Sequence, residues 1–418
     1  MVLKKKLTIY LIFVLSVFLG FYFSENASGG AKIDYKYLLP FIKRFSIDFE
    51  SGLELFTSNR ASLIHSPAFY IINGFFLKIT GDIFLVKIFY ILVSCFLPYV
   101  FYLILKKKYK IENDYIFYFS LIIFFSPYFR GSAIWLLGDN LSLLFLSLSI
   151  LFFLKTNDEK DKISNYYFCF IFLILCFYIR YYYCLFGIYF LFHFYKNLKS
   201  YDFFKILIFS FILLIPAFYY LLHIIINANY FNVLGTFGYV NFYSTGLLIL
   251  SIILFYLLPF IYVNRNQLIN FYKEKPIKIL LFLVPILLIY LIDEYFFLNL
   301  INFSPRGGGV FVKLSEIINL NSNLFLSIVA LISLLVIDFI FNGKRLENYS
   351  LLIILILCFP LFTIYQKYFD PLFYLFFFGL VNSIYIKKII TKRTVPILLI
   401  YSYFSLFLIF AISYYVGI

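Results

Sequence analysis

Charge is scarce in this sequence. Only 13% of its 418 residues are Asp, Glu, Lys or Arg, against about a quarter in a soluble domain. No polar stretch is long enough to build a separate soluble domain. The apolar runs do not alternate with polar residues, which excludes barrel strands. The G-x-x-x-x-G-K-[ST] spacing is missing, so Gly307-Gly308-Gly309 is not a P-loop. No internal repeat occurs. Nor do matching halves carry paired Gly/Pro-broken apolar runs, as a secondary transporter tends to. Cysteine is sparse as well. Cys95, Cys169, Cys176, Cys184 and Cys358 all fall in or beside apolar runs. They read as small core residues, not as a disulfide set or a metal site.

What the chain does have is hydrocarbon, with 64% of residues hydrophobic. Apolar runs of about fifteen or more residues recur from end to end, and in a bilayer such runs must satisfy their backbone internally as helices. The expectation is an all-α, polytopic integral membrane protein with about 13 spans, forming one transmembrane domain over residues 1–418. Leu7–Phe23 follows Lys4-Lys5-Lys6 and exceeds the apolar core of a signal peptide. It predicts an uncleaved anchor with a cytoplasmic N-terminus. Most of the 35 basic residues cluster at 4–6, 106–110, 155–162, 196–205, 265–278, 344–345 and 387–393. These are alternate inter-span loops, which the positive-inside rule assigns to the cytoplasm. The net charge of +15 therefore reports topology, and no nucleic-acid partner is expected. Tyr166–Tyr195 is too long for one span, has Arg180 at its middle and lysines on both flanks. It predicts a hairpin of two short helices.

On this topology residues 24–82 form the first extracytoplasmic loop. It carries interfacial helices and an apolar segment, Ser66–Thr80, too short to span. The loop holds Glu25, Asp34, Asp48, Glu50, Glu54, Arg60 and His65. Arg130, Asp139, Arg180, Asp293-Glu294, Arg306 and Lys367 fall at the same face. Ion and proton paths usually place charge within the hydrocarbon. Here it collects at one surface, where a site is reachable from lipid and from water together.

The layout resembles the GT-C superfamily of polyprenyl-phosphate-dependent membrane glycosyltransferases. The resemblance rests on the cytoplasmic N-terminus and on the long first outer loop with its early acid, Asp34. It rests also on His65-Ser66-Pro67-Ala68-Phe69-Tyr70, similar to a His/Thr-Pro-Pro-Leu-Tyr signature, and on Gly138-Asp139-Asn140 opening a returning span. The late Gln366-Lys367-Tyr368-Phe369-Asp370-Pro371 resembles an Arg-Tyr…Pro motif. Tyr35, not a second acid, follows Asp34; one proline follows His65; Lys367 stands where arginine is more usual. The resemblance implies sugar transfer from a polyprenyl-phosphate donor to a glycan or lipid-linked acceptor. It implies a multi-pass protein of a bacterial cytoplasmic membrane, serving envelope polysaccharide or glycolipid assembly. It implies Asp34 as the base on the acceptor hydroxyl, with Lys367 and Arg306 holding the donor phosphate. Such transfer needs one positioned carboxylate and one or two cations on the departing phosphate, with no cofactor. A divalent cation is not supported, because the adjacent acids Asp293-Glu294 are a weak metal signal. His65, Asp139, Arg180 and Asp48 are secondary candidates. A polysaccharide polymerase or ligase shares the topology, and a lipid-linked sugar flippase or transporter is the rival of a different class.

Each candidate also has a plain structural reading. Asp34 is readable as a solvated loop residue, and Asp48, Glu50 and Glu54 as a solvated helix face. Glu25 reads as an interfacial flank of the first span. His65 is placed to cap the helix beginning at Ser66, and Asp139 to cap the Leu141 span. Arg130 and Arg180 read as interfacial anchors, and Lys367 and Arg306 as headgroup anchors.

Overall fold

The computed structural model describes residues 2–58, 65–158, 162–227, 242–296, 307–359 and 363–416, and among these it is all-helical. Among the described residues eight helices are long and apolar enough to cross a membrane, or up to ten if each of two bent pairs counts as one span. The chain divides into two compact units: Met1–Tyr230 with Tyr401–Ile418, and Phe231–Ile400.

The first unit begins with α1 (Val2–Tyr22). Its 21 residues rise by about 31 Å, the thickness of a bilayer's hydrocarbon core. Two amphipathic helices follow, α2 (Ala31–Ile47) and α3 (Phe49–Thr57), then α4 (Ala68–Thr80). The helices α5 (Ile83–Ser94) and α6 (Phe96–Tyr109) join as one candidate span. The next element is broken. The helix α7 (Asp114–Ser120), with a 3-10 turn over Leu121–Phe125, bends by 65° into α8 (Pro127–Ile134). The break is encoded locally: Ser126 Oγ accepts from Phe129 N at 2.9 Å and Pro127 opens the new helix.

The helix α9 (Asp139–Asp158) packs along α10 (Ile163–Ile179). Small residues let them approach closely. Ser147, Ser149, Cys169 and Cys176 are all fully buried, and Ser149 Oγ donates to Cys169 O at 2.8 Å. Four of the five cysteines are buried, as expected for small core residues, whereas Cys184 is exposed. It lies on the 3-10 segment Tyr181–Leu185, where the chain turns between two helices. Arg180 is extended (φ −139°, ψ 100°) and separates α10 from α11 (Phe186–Asn197), so the long apolar run does break at its arginine. The unit continues with α12 (Ser200–Asn227).

The two ends of α1 are tied differently. At its N-terminal end Lys6 pairs with Asp114 at 2.7 Å, and Lys106 pairs with Glu112 in the loop before α7. At the other end Glu25 and Arg130 form a buried pair that is not an interfacial flank with an interfacial anchor. Arg130 Nε donates to Glu25 Oε1 at 2.7 Å and Nη2 to Oε2 at 2.5 Å, with Nη2 also reaching Ser16 O at 2.9 Å. Gly20 leaves room for this fork: a Cβ there would meet Glu25 Oε2 at 2.4 Å.

The second unit is built on α13 (Phe242–Lys273), α14 (Pro276–Phe296), α15 (Gly309–Ile317), α16 (Ser322–Ile340) and α17 (Arg345–Leu357). A π-helical turn, Leu375–Leu380, leads by a sharp bend into α18 (Ile384–Lys392); the next helix, α19 (Ile397–Val416), belongs from Tyr401 onward to the first unit. Asp338 is buried and gathers four helices. Lys278 Nζ lies 2.7 Å from it and Arg345 Nε 3.4 Å, and the hydroxyls of Tyr349 (3.1 Å) and Tyr272 (3.3 Å) donate to it. Basic residues that read as topology signals thus also neutralise a buried acid.

Candidate functional site

The helix α2 begins after Gly29 (φ +68°) and Gly30, and Asp34 lies in its first turn, where an acid suits the positive end of the helix. Its apolar face (Ala31, Leu38, Phe41, Ile42, Phe45) is buried. Phe41 and Phe56 pack against Tyr70 of α4, with ring centroids 5.8 and 5.3 Å away. Gly74 brings α2 and α4 together, since a Cβ there would stand 2.6 Å from Phe45 Cβ. The first loop is therefore not a solvated coil. Its described part folds as helices that pack onto α4, and Asp34, in the first turn of α2, is half-buried.

His65 does not cap a helix. The helix α4 starts at Ala68 with Pro67 before it and no side-chain cap. The imidazole instead places Nδ1 against Arg180 Nη1. A guanidinium only donates, so Nδ1 must accept, and the neutral ring carries its proton on Nε2. Asp139 likewise opens α9, but its carboxylate turns to Arg180, with Oδ1 2.9 Å from Nη2. Arg180 is not an interfacial anchor either. It is buried, 9% exposed, and its Nε has no hydrogen-bond partner among the described residues. A buried charge persists only when paired, and Asp139 supplies the pair.

Four sequence candidates thus fall in the first unit at one end of its helices. His65, Asp139 and Arg180 are in contact. The buried Tyr70 hydroxyl lies within the electrostatic reach of Arg180, Asp139 and Asp34. Tyr70 carried a signal, as the last residue of His65-Ser66-Pro67-Ala68-Phe69-Tyr70, but had no assigned role. Lys87 carries a signal as well. It is a lone cation in the apolar run Ile83–Leu105, and an ionisable residue in a span is by default a functional candidate.

The remaining candidates have other surroundings among the described residues. Asp48 is exposed and caps α3, accepting from Ser51 N at 2.8 Å. That hydrogen bond holds its carboxyl below the usual range. Lys367 lies in the second unit, half-buried against Tyr365 and Tyr368, with Nζ 5.3 and 5.9 Å from the ring centroids. Its neighbour Gln366 is buried, donates to Tyr256 Oη at 3.1 Å and accepts from Val310 N at 3.2 Å. Gly308 N donates to Ile364 O at 2.8 Å. The glycine-rich turn and the late motif are therefore fastened together. Arg306 lies outside the described residues.

The first-unit cluster holds a half-buried carboxylate, an imidazole N–H donor and a neutralised guanidinium beside a phenol. Such a set can take a proton from a hydroxyl and hold a second hydroxyl by hydrogen bond. Comparison with protein-family models, with curated proteins and with solved structures finds no match.

Proposed function

We propose that this chain is a GT-C-type membrane glycosyltransferase of about 13 spans, at the outer face of a bacterial cytoplasmic membrane. It moves a sugar from a polyprenyl-phosphate donor to a hydroxyl of a glycan or lipid-linked acceptor. The observation that carries the reading is the contact of His65, Asp139 and Arg180, with Tyr70 within electrostatic reach of Arg180, Asp139 and Asp34. These residues lie at helix ends, where a lipid-linked donor and a water-borne acceptor can both arrive. A transporter would place such groups along a path through the middle of the bilayer.

In this reading Asp34 takes the proton of the acceptor hydroxyl as its oxygen attacks the anomeric carbon. The bond to the lipid phosphate breaks, the phosphate leaves as an anion, and the anomeric centre inverts. No acid is needed on the leaving group. His65, fixed by Arg180, offers its Nε2–H to a sugar hydroxyl. The Asp139–Arg180 pair positions the imidazole and does not touch the reacting atoms.

The reading requires this cluster to face outward. In a background lacking the exposed Cys184, single cysteines at Ser51 and Asn321 are expected to react with an impermeant thiol reagent in intact cells. Cysteines at Asn157 and Asn266 are expected to react only after permeabilisation. Reaction at Asn157 from outside would reverse the sidedness and remove the site from the outer face.

A further inference from the structure

We propose that Lys87 and Lys32 form a binding site for the phosphate group of a membrane lipid. Lys87 lies in the second turn of α5, five residues beyond the capping Asp82. That places it about 7 Å into the span. Its ammonium is half-buried among rings: Nζ is 3.8 Å from the Tyr35 centroid, 5.0 Å from Trp135 and 5.9 Å from Phe21. Lys32 Nζ approaches the same indole, at 5.5 Å.

Among the described residues no carboxylate lies within ion-pair distance of either amine. Glu25, whose backbone oxygen accepts from Trp135 Nε1 at 2.8 Å, has its carboxylate committed to Arg130. Aromatic faces attract a cation but carry no net charge, so the half-buried Lys87 ammonium has no counter-ion among the described residues, and the exposed Lys32 adds a second positive charge beside the same indole. Phe84, one turn before Lys87, is 52% exposed, and Phe89 is 46% exposed. On a span those positions face lipid, so the niche is bordered by the bilayer. A lipid phosphate supplies the negative oxygens, with its tail against Phe84 and Phe89.

The site also adjoins the carboxylate cluster. Tyr35 follows Asp34 on α2, so the two side chains leave the helix about 100° apart. The glycosyl-transfer reading, on which this clause alone rests, makes the occupant the polyprenyl phosphate of the donor. A resident phospholipid headgroup has the same phosphate chemistry.

Trp135 is the sole tryptophan, so its emission reports the niche directly. The full chain in neutral nanodiscs is titrated with a short polyprenyl phosphate, the matching polyprenol and phosphatidylglycerol. Polyprenyl phosphate is expected to shift the emission saturably, and the polyprenol is not. Lys87→Met is expected to weaken that binding at least about tenfold, and Lys87→Arg to retain it. Equal affinity for phosphatidylglycerol supports the phosphate site and overturns its donor role. Unchanged affinity in a folded Lys87→Met protein, or no response to either phosphate lipid, overturns the site. Binding through Lys87 without sugar transfer leaves the site standing and removes the enzyme reading. Sugar transfer with wild-type donor affinity in Lys87→Met does the reverse.

Discussion

Asp34→Asn is expected to fold, to bind donor, and to transfer sugar at least about a hundredfold more slowly. The substitution keeps the shape of the side chain and removes the proton acceptor. Its structural cost is small, because losing one acid from the first turn of α2 weakens a helix by about 0.3–1 kcal/mol. Rates at saturating donor and acceptor check it. Asp48→Asn is the control with the most similar chemistry. Asn caps α3 as Asp does, Asp48 is exposed, and near-normal transfer is expected. Asp139→Asn needs a folding readout beside the rate, because it leaves the buried Arg180 without its counter-ion. Near-normal transfer by Asp34→Asn, with transfer abolished in a folded Asp139→Asn protein, would move the base to Asp139.

The largest stability effect is expected at Arg130. Removing one member of a buried ion pair costs about 3–5 kcal/mol, because the other charge is left without compensation. Arg130 makes two hydrogen bonds to Glu25 and two to Ser16, and both side chains of the ion pair are under a tenth exposed. Arg130→Ala therefore unfolds well below the wild-type temperature. The double change Glu25→Leu with Arg130→Met restores much of the loss, since apolar side chains in place of a buried pair are often near neutral. Trp135 emission follows the transition, because its indole N–H donates to Glu25 O. A wild-type melting temperature in Arg130→Ala would mean that the pair contributes nothing to the fold.

The helices were legible in the sequence because their cause is local. An apolar run closed by Lys106-Lys107-Lys108, or opened by Gly81-Asp82, marks its own ends. The break at Arg180 was legible from one arginine between two lysine flanks. The Ser66–Thr80 segment was legible as too short to span, and α4 is short. What the chain does not display is pairing across distance. Glu25 and Arg130 are 105 residues apart, and His65 and Arg180 are 115. Each reads alone as an interfacial or capping residue, and only the packing of α1, α4, α8 and α10 makes them partners. Asp48 is the intermediate case. It was read as a solvated face, yet Ser51 three residues on already offered the N–H that it caps. Lys87 was hidden differently, in an apolar run where every other residue belongs to the span.

The most direct measurement is the fate of a polyprenyl-phosphate sugar, labelled in the sugar, added to the outer leaflet of vesicles holding the purified protein and a hydroxyl acceptor. Glycosyl transfer predicts labelled acceptor with inverted anomeric configuration, free polyprenyl phosphate in equal amount, and neither product with Asp34→Asn. Intact donor recovered from the inner leaflet, with no acceptor labelled, would contradict it and identify a lipid-linked sugar transporter.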